Sequence, residues 1–139
     1  MRALLAGLVT AGLLVPLSAR AVEDDKADKP KLELRAHPRN SFSPATVKFF
    51  AELDGGDDLE EYYCPEVEWE WGDGTKSLRE ADCEPWEPGT KIKRLFIETH
   101  TYRSSGLYRV RIELKRLDDA FVAREVDITV RPGPGDPGY

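Results

Sequence analysis

The stretch Val67-Glu68-Trp69-Glu70-Trp71-Gly72-Asp73-Gly74-Thr75 decides the fold. Val67, Trp69 and Trp71 alternate with Glu68 and Glu70, so one face is apolar and the other charged, as in a half-buried strand. Two large rings on one face supply the apolar surface needed to anchor the space between two sheets. Gly72 and Gly74 allow the backbone angles of a tight strand exit. Asp73 between them is placed to accept hydrogen bonds from turn amides.

The same period of two runs outward from this stretch. Leu32, Leu34 and Ala36 alternate with Glu33 and Arg35, and Val47, Phe49, Ala51 and Leu53 with Lys48, Phe50 and Glu52. Leu95, Ile97 and Thr99 alternate with Phe96 and Glu98, which predicts the first set on the core face. Tyr108, Val110, Ile112 and Leu114 alternate with charged residues, as do Val126, Ile128 and Val130 with Asp127 and Thr129. Turn signals such as Asp54-Gly55-Gly56-Asp57, Ser104-Ser105-Gly106 and Leu117-Asp118-Asp119 separate the runs. No window holds the spacing of a sizeable amphipathic helix. Six or seven short strands punctuated in this way predict an all-β sandwich or barrel, with one wet face on each antiparallel sheet.

A second motif follows at His100-Thr101-Tyr102, then Gly106-Leu107-Tyr108-Arg109-Val110-Arg111-Ile112. Tyr102 precedes a strand as a tyrosine-corner residue does, its hydroxyl placed to tie a loop to nearby backbone. The two motifs, in this order, resemble a PKD domain, whose strand and turn read W-D-F-G-D-G-T, followed by H-T-Y and G-x-Y-x-V. Here Glu70 stands for the usual Asp and Trp71 for the usual Phe. The resemblance spans about 31–130 and implies an immunoglobulin-like antiparallel β-sandwich of about seven strands. It also implies that Trp69, Trp71, Gly72, Asp73, Gly74, His100, Tyr102, Gly106 and Tyr108 serve architecture rather than chemistry. Such domains occur as modules of larger extracellular proteins, where they mediate contacts or act as spacers.

At the N-terminus, Met1-Arg2 precedes an almost continuous apolar run from Ala3 to Leu17, then Ser18-Ala19-Arg20-Ala21. A positive start, a short apolar run and an A-x-A ending read as a secretory signal peptide cleaved after Ala21. The alternative, a membrane anchor, needs about 20 apolar residues, and Gly7, Gly12 and Pro16 weaken this run. The expected organisation is a signal peptide over 1–21, a flexible charged leader over 22–30, the folded domain over 31–131 and a loose Pro/Gly-rich tail over 132–139. The expected location is periplasmic or secreted, without membrane insertion once the signal is removed.

Removing the signal takes two of the 20 basic residues and no acidic one, leaving 18 against 26 and a net charge of −8. An acidic chain without a basic stripe is a poor partner for nucleic acid or for anionic membrane surfaces. The two cysteines, Cys64 and Cys83, permit one intramolecular pairing, and an exported chain can keep it. A metal reading has little to work with, since the spacing is not CxxC and only His37 and His100 remain as nitrogen ligands. Antibody-type domains carry their disulfide on core strands. Cys64 instead sits just before the Trp69 strand and Cys83 in the long segment between Thr75 and Lys91, so the bridge is expected to pin that segment.

No G-x-S-x-G, H-E-x-x-H or phosphate-binding Gly loop is present, and no catalytic residue or cofactor is expected. Asp54, Asp57 and Asp58 concentrate hard oxygen ligands in one loop and form a calcium candidate without EF-hand spacing, the alternative being a solvated acidic loop. Tyr62, Tyr63 and Trp86 lie beside the two cysteines and form the candidate binding surface. Aromatic faces there either grip a partner or fold back over the core edge. The expected function is a non-catalytic module contacting a protein or polysaccharide, the alternative a structural accessory subunit of an envelope or extracellular assembly.

Overall fold

The computed structural model describes residues 29–136. The expected signal peptide, the expected leader up to residue 28 and the last three residues of the tail lie outside that range. The described residues form eight strands: β1 (Lys31–His37), β2 (Asn40–Phe42), β3 (Ala45–Asp54), β4 (Glu66–Glu70), β5 (Lys76–Arg79), β6 (Leu95–Tyr102), β7 (Gly106–Arg116) and β8 (Asp119–Arg131). They build a three-stranded sheet in the order β1-β3-β6 and a five-stranded sheet in the order β2-β8-β7-β4-β5. All pairings are antiparallel except β2 with β8, which run parallel.

Alternation sets the packing. Val47, Phe49, Ala51 and Leu53 of β3 face Val110, Ile112 and Leu114 of β7 and Ile128 of β8 across the sandwich, all 2 % exposed or less. Trp69 at 1 % and Trp71, one residue past the end of β4 and equally buried, fill the middle. Phe49 meets both rings, with centroids 5.9 and 5.4 Å away, so the two sheets are bridged by the bulkiest apolar surface in the chain.

Two sequence expectations need correction. The inward set on β6 is Phe96, Glu98, His100 and Tyr102, while Leu95 and Ile97 are each 46 % exposed on the outer face. The polar residues are tolerated inside because each has a partner: Glu98 accepts from Arg79 at 2.7 Å and His100 meets Asp73. The tail is also anchored further than composition implies. After Arg131 the chain folds back, with the Gly133 amide donating to Ser43 Oγ and Ser43 Oγ donating to Asp136 at 2.7 Å. The Ser105 amide donates to the same Asp136 carboxylate, so 132–136 pack against the domain. With the short strands β2 and β5 the described residues form eight strands, in keeping with the expected sandwich of about seven.

Candidate interaction surface

The motif residues converge at one end of the sandwich. Gly72 and Gly74 adopt φ of +80° and +88°, and the turn closes with the Trp71 amide donating to the carbonyl of Thr75. Asp73 Oδ1 accepts from the Thr75 amide at 3.0 Å and from its hydroxyl, while Oδ2 lies 2.7 Å from His100 Nε2. Burial works against the ionised Asp73 carboxyl, but the hydrogen bonds from Thr75 and His100 outweigh it and hold its pKa below the ordinary carboxylate value. The His100 ring stacks parallel on Trp71 at 4.5 Å and edge-on to Tyr102 at 4.8 Å. Tyr102 in turn packs on Tyr108 at 4.4 Å and donates to the carbonyl of Trp71. Burial, with the Asp73 charge nearby, pushes the Tyr102 hydroxyl far above its usual range, so it stays a donor. Gly106 packs against the Tyr108 ring. Trp71 Nε1 donates to Ser77 and Tyr108 Oη to the carbonyl of Ser104, so the node is tied to its neighbours as a structural clasp is.

The acidic loop is organised around a cation of the protein itself. Arg94 donates to the carbonyls of Leu53, Gly55 and Gly56, and Asp58 accepts from Lys91 at 2.7 Å and from the Ile92 amide at 3.1 Å. The Lys91 and Ile92 bonds lower the Asp58 pKa against a smaller burial effect. Asp54 accepts from its neighbour Gly55, and Asp57 lines a shallow cleft with Glu33 and Arg94. Among the described residues no group of three or more His, Cys, Asp or Glu is arranged to hold a metal. Of the three residues that made the calcium candidate, Asp58 is thus turned toward Lys91 and Arg94, and Asp54 toward the Gly55 amide.

The remaining candidates lie around the segment joining β5 to β6. Cys64 and Cys83 are bonded, with Cα atoms 6.2 Å apart. The segment is fastened again where Tyr63 Oη donates to the carbonyl of Glu84 at 2.8 Å, and at its far end by Asp58 with Lys91 and by buried Ile92. Tyr63 and half-buried Trp86 share one cleft of about 460 Å³ with Pro85 and Leu117. Trp86 Nε1 is shielded from solvent and makes no hydrogen bond among the described residues. A neighbouring cleft of about 440 Å³ opens between the edges of β5 and β6. Tyr62 does not join the other two aromatics. Its ring packs on Phe121 at 5.3 Å and it does not line that cleft, although Tyr62 and Tyr63 both rest partly buried against the core. The sequence offered no signal for Asp58, Arg94 or Phe121 as supports of this region, because each contact spans more than thirty residues.

Two sheets joined through a tryptophan-centred core, with the strand-turn motif clasped to the end of β6, define an immunoglobulin-like β-sandwich of the PKD type. Among solved structures the chain is similar to the PKD domain of a peptidase from a Thermoplasmatales archaeon. The two share 20 % identity and a TM-score of 0.52, over 76 % of this chain and 98 % of that one. It is also similar to the CARDB domain of a Pyrococcus furiosus protein solved with di-metal ions, at 10 % identity and a TM-score of 0.48, over 75 % and 94 % of the two chains. No protein-family model matches the chain, and no curated protein matches it. Among the described residues no helix is long and apolar enough to cross a membrane.

Proposed function

We propose that this chain is an exported, non-catalytic interaction module whose contact surface is the disulfide-stapled segment between β5 and β6. The observation that carries this reading is the joint placement of Tyr63 and Trp86 in one cleft, held by the Cys64–Cys83 bond and the Tyr63–Glu84 hydrogen bond. Rigid aromatic side chains bind at low conformational cost when their backbone is already fixed. Export is supported by the sequence of residues 1–21 and by the disulfide, which persists in oxidising compartments. The experiment is capture of the chain from Val22 onward by insoluble polysaccharides, peptidoglycan and an envelope extract. It runs beside Tyr63→Ala and Trp86→Ala variants of unchanged melting temperature. Saturable capture lost in both variants supports the module reading; capture of nothing by any form removes it.

A second reading, a structural accessory subunit, is favoured by a different observation. Leu95 and Ile97 lie exposed on the outer face of β6, an edge strand, and Ile97 is paired with Phe50 of β3. Such a subunit co-purifies with a defined partner, tolerates the Tyr63 and Trp86 changes, and loses its partner on Ile97→Asp.

A further inference from the structure

We propose that the cleft between Tyr63 and Trp86 receives a cationic segment of a partner protein, a Lys- or Arg-bearing peptide. This rests on the interaction-module reading and adds the chemical class of the occupant. The cleft combines apolar lining with unspent negative charge. Tyr63, Pro85 and Trp86 supply the apolar surface, and Leu117 at the same cleft is 90 % exposed. Glu66, Glu80 and Glu84 line it as well, and among the described residues none of these three carboxylates is in an ion pair.

The two cations that also line the cleft are already used. Lys115 Nζ lies 2.5 Å from Glu68 and 3.5 Å from Glu113. The Arg116 guanidinium donates to the carbonyls of Glu60 and Tyr63, each at 2.6 Å. A ligand entering the cleft therefore meets aromatic side chains and carboxylates outside any ion pair, a combination that attracts ammonium and guanidinium groups. An anionic polymer would meet like charge. A neutral glycan would desolvate the carboxylates and give them no counter-charge in return. The neighbouring cleft between β5 and β6 is of mixed sign, because Arg79, Lys91 and Lys93 line it together with Glu80, Asp82 and Glu98.

The test is calorimetric titration of the chain from Val22 onward with three probes: a decapeptide alternating Lys and Gly, its Glu and Gly counterpart, and chitohexaose. The expected result is binding of the Lys peptide alone, with an affinity that falls as salt is raised. Trp86→Ala should weaken it about 30-fold, the loss typical of an aromatic anchor. The combined Glu66→Gln, Glu80→Gln and Glu84→Gln variant should weaken it roughly 30-fold, at about 3-fold for each charge. A control variant removes three carboxylates of another cleft, with Glu33→Gln, Asp54→Asn and Asp57→Asn, and should leave the affinity within about 2-fold. Near-UV circular dichroism confirms that each variant is folded. Equal weakening by the two triple variants overturns the proposal, since the peptide would then be reading total charge. Binding of chitohexaose or the Glu peptide, lost in Trp86→Ala, also overturns it but leaves the interaction-module reading intact. A Lys peptide insensitive to both Trp86→Ala and Tyr63→Ala overturns both readings, and no binding by any probe overturns the proposal.

Discussion

The hydroxyl of Tyr102 donates to the carbonyl oxygen of Trp71 at 2.9 Å, both residues being 1 % exposed. The bond joins the last residue of β6, in one sheet, to the residue that follows β4 in the other. Removing only the hydroxyl leaves a buried carbonyl without its donor, a loss of about 1–3 kcal/mol. Tyr102→Phe should therefore unfold at lower urea with an unchanged denaturant slope. An unchanged midpoint would show that the bond contributes nothing net.

Two glycines of the same turn separate steric from conformational demands. A Cβ on Gly72 would lie 2.6 Å from the carbonyl oxygen of Arg109, whereas a Cβ on Gly74 meets nothing within 4 Å, although both have positive φ. Gly74→Ala should cost about 1–2 kcal/mol, the left-handed strain alone. Gly72→Ala adds a backbone clash with β7 and should lose at least twice as much, or fail to fold. Equal midpoints for the two variants in thermal melts would remove the distinction.

Asp73 gives the node a pH dependence of definite sign. Its folded pKa lies below the ordinary 3.8, so its stabilisation is complete well above that value and is lost as the pH falls below it, through the folded pKa. Glu98, held low chiefly by its bond from Arg79, and Glu68, held low chiefly by Lys115, act in the same direction. Asp73→Asn should be less stable at neutral pH and lose less on acidification between about pH 4 and 2. A parallel stability profile for wild type and variant would exclude Asp73 as the source.

Reduction should loosen the segment after β5 before it unfolds the domain. The bond spans 19 residues of sequence, and closing a loop of that size stabilises by about 3 kcal/mol in the chain-entropy account. Cys64→Ala/Cys83→Ala should melt lower and become sensitive to proteolysis within residues 80–90. Cleavage elsewhere first would contradict the pinning role.

Calcium should leave the melting temperature unchanged, because Arg94 already occupies the carbonyls of Leu53, Gly55 and Gly56. A rise of several degrees with calcium, reversed by EDTA, would restore Asp54, Asp57 and Asp58 as ligands.

How far the sequence could be read depended on the range of the contacts involved. β3, β4, β7 and β8 were legible because their apolar sets alternate over several residues and the wet side is charged. The β6 pattern misled, since Leu95 and Ile97 are more hydrophobic than Glu98 and His100, yet Tyr102 must reach Trp71 and so fixes the opposite phase. Strands of three and four residues, β2 and β5, are too short to show a period at all. At the candidate site, the spacing of Cys64 and Cys83 was enough to associate Tyr63 with Trp86. That Tyr62 lies apart from them was not legible, because its partner Phe121 is on a distant strand and nothing local marks that contact.

The parallel pairing of β2 with β8 has a mechanical consequence. The chain begins its first strand beside Asp54, where Lys31 pairs, and leaves beside Ser43 and Ala45, at the opposite end of β3. Tension applied between the two ends of the domain therefore pulls β2 and β8 in opposite directions along their common axis. Their bonds, from the Thr129 amide to Arg39 and from the Ser43 amide to Arg131, are then loaded together in shear rather than peeled one at a time. The clasp of Gly133 and Asp136 on Ser43 lies in the same line of force, so it adds to the bonds that a pull on the two ends would load in shear.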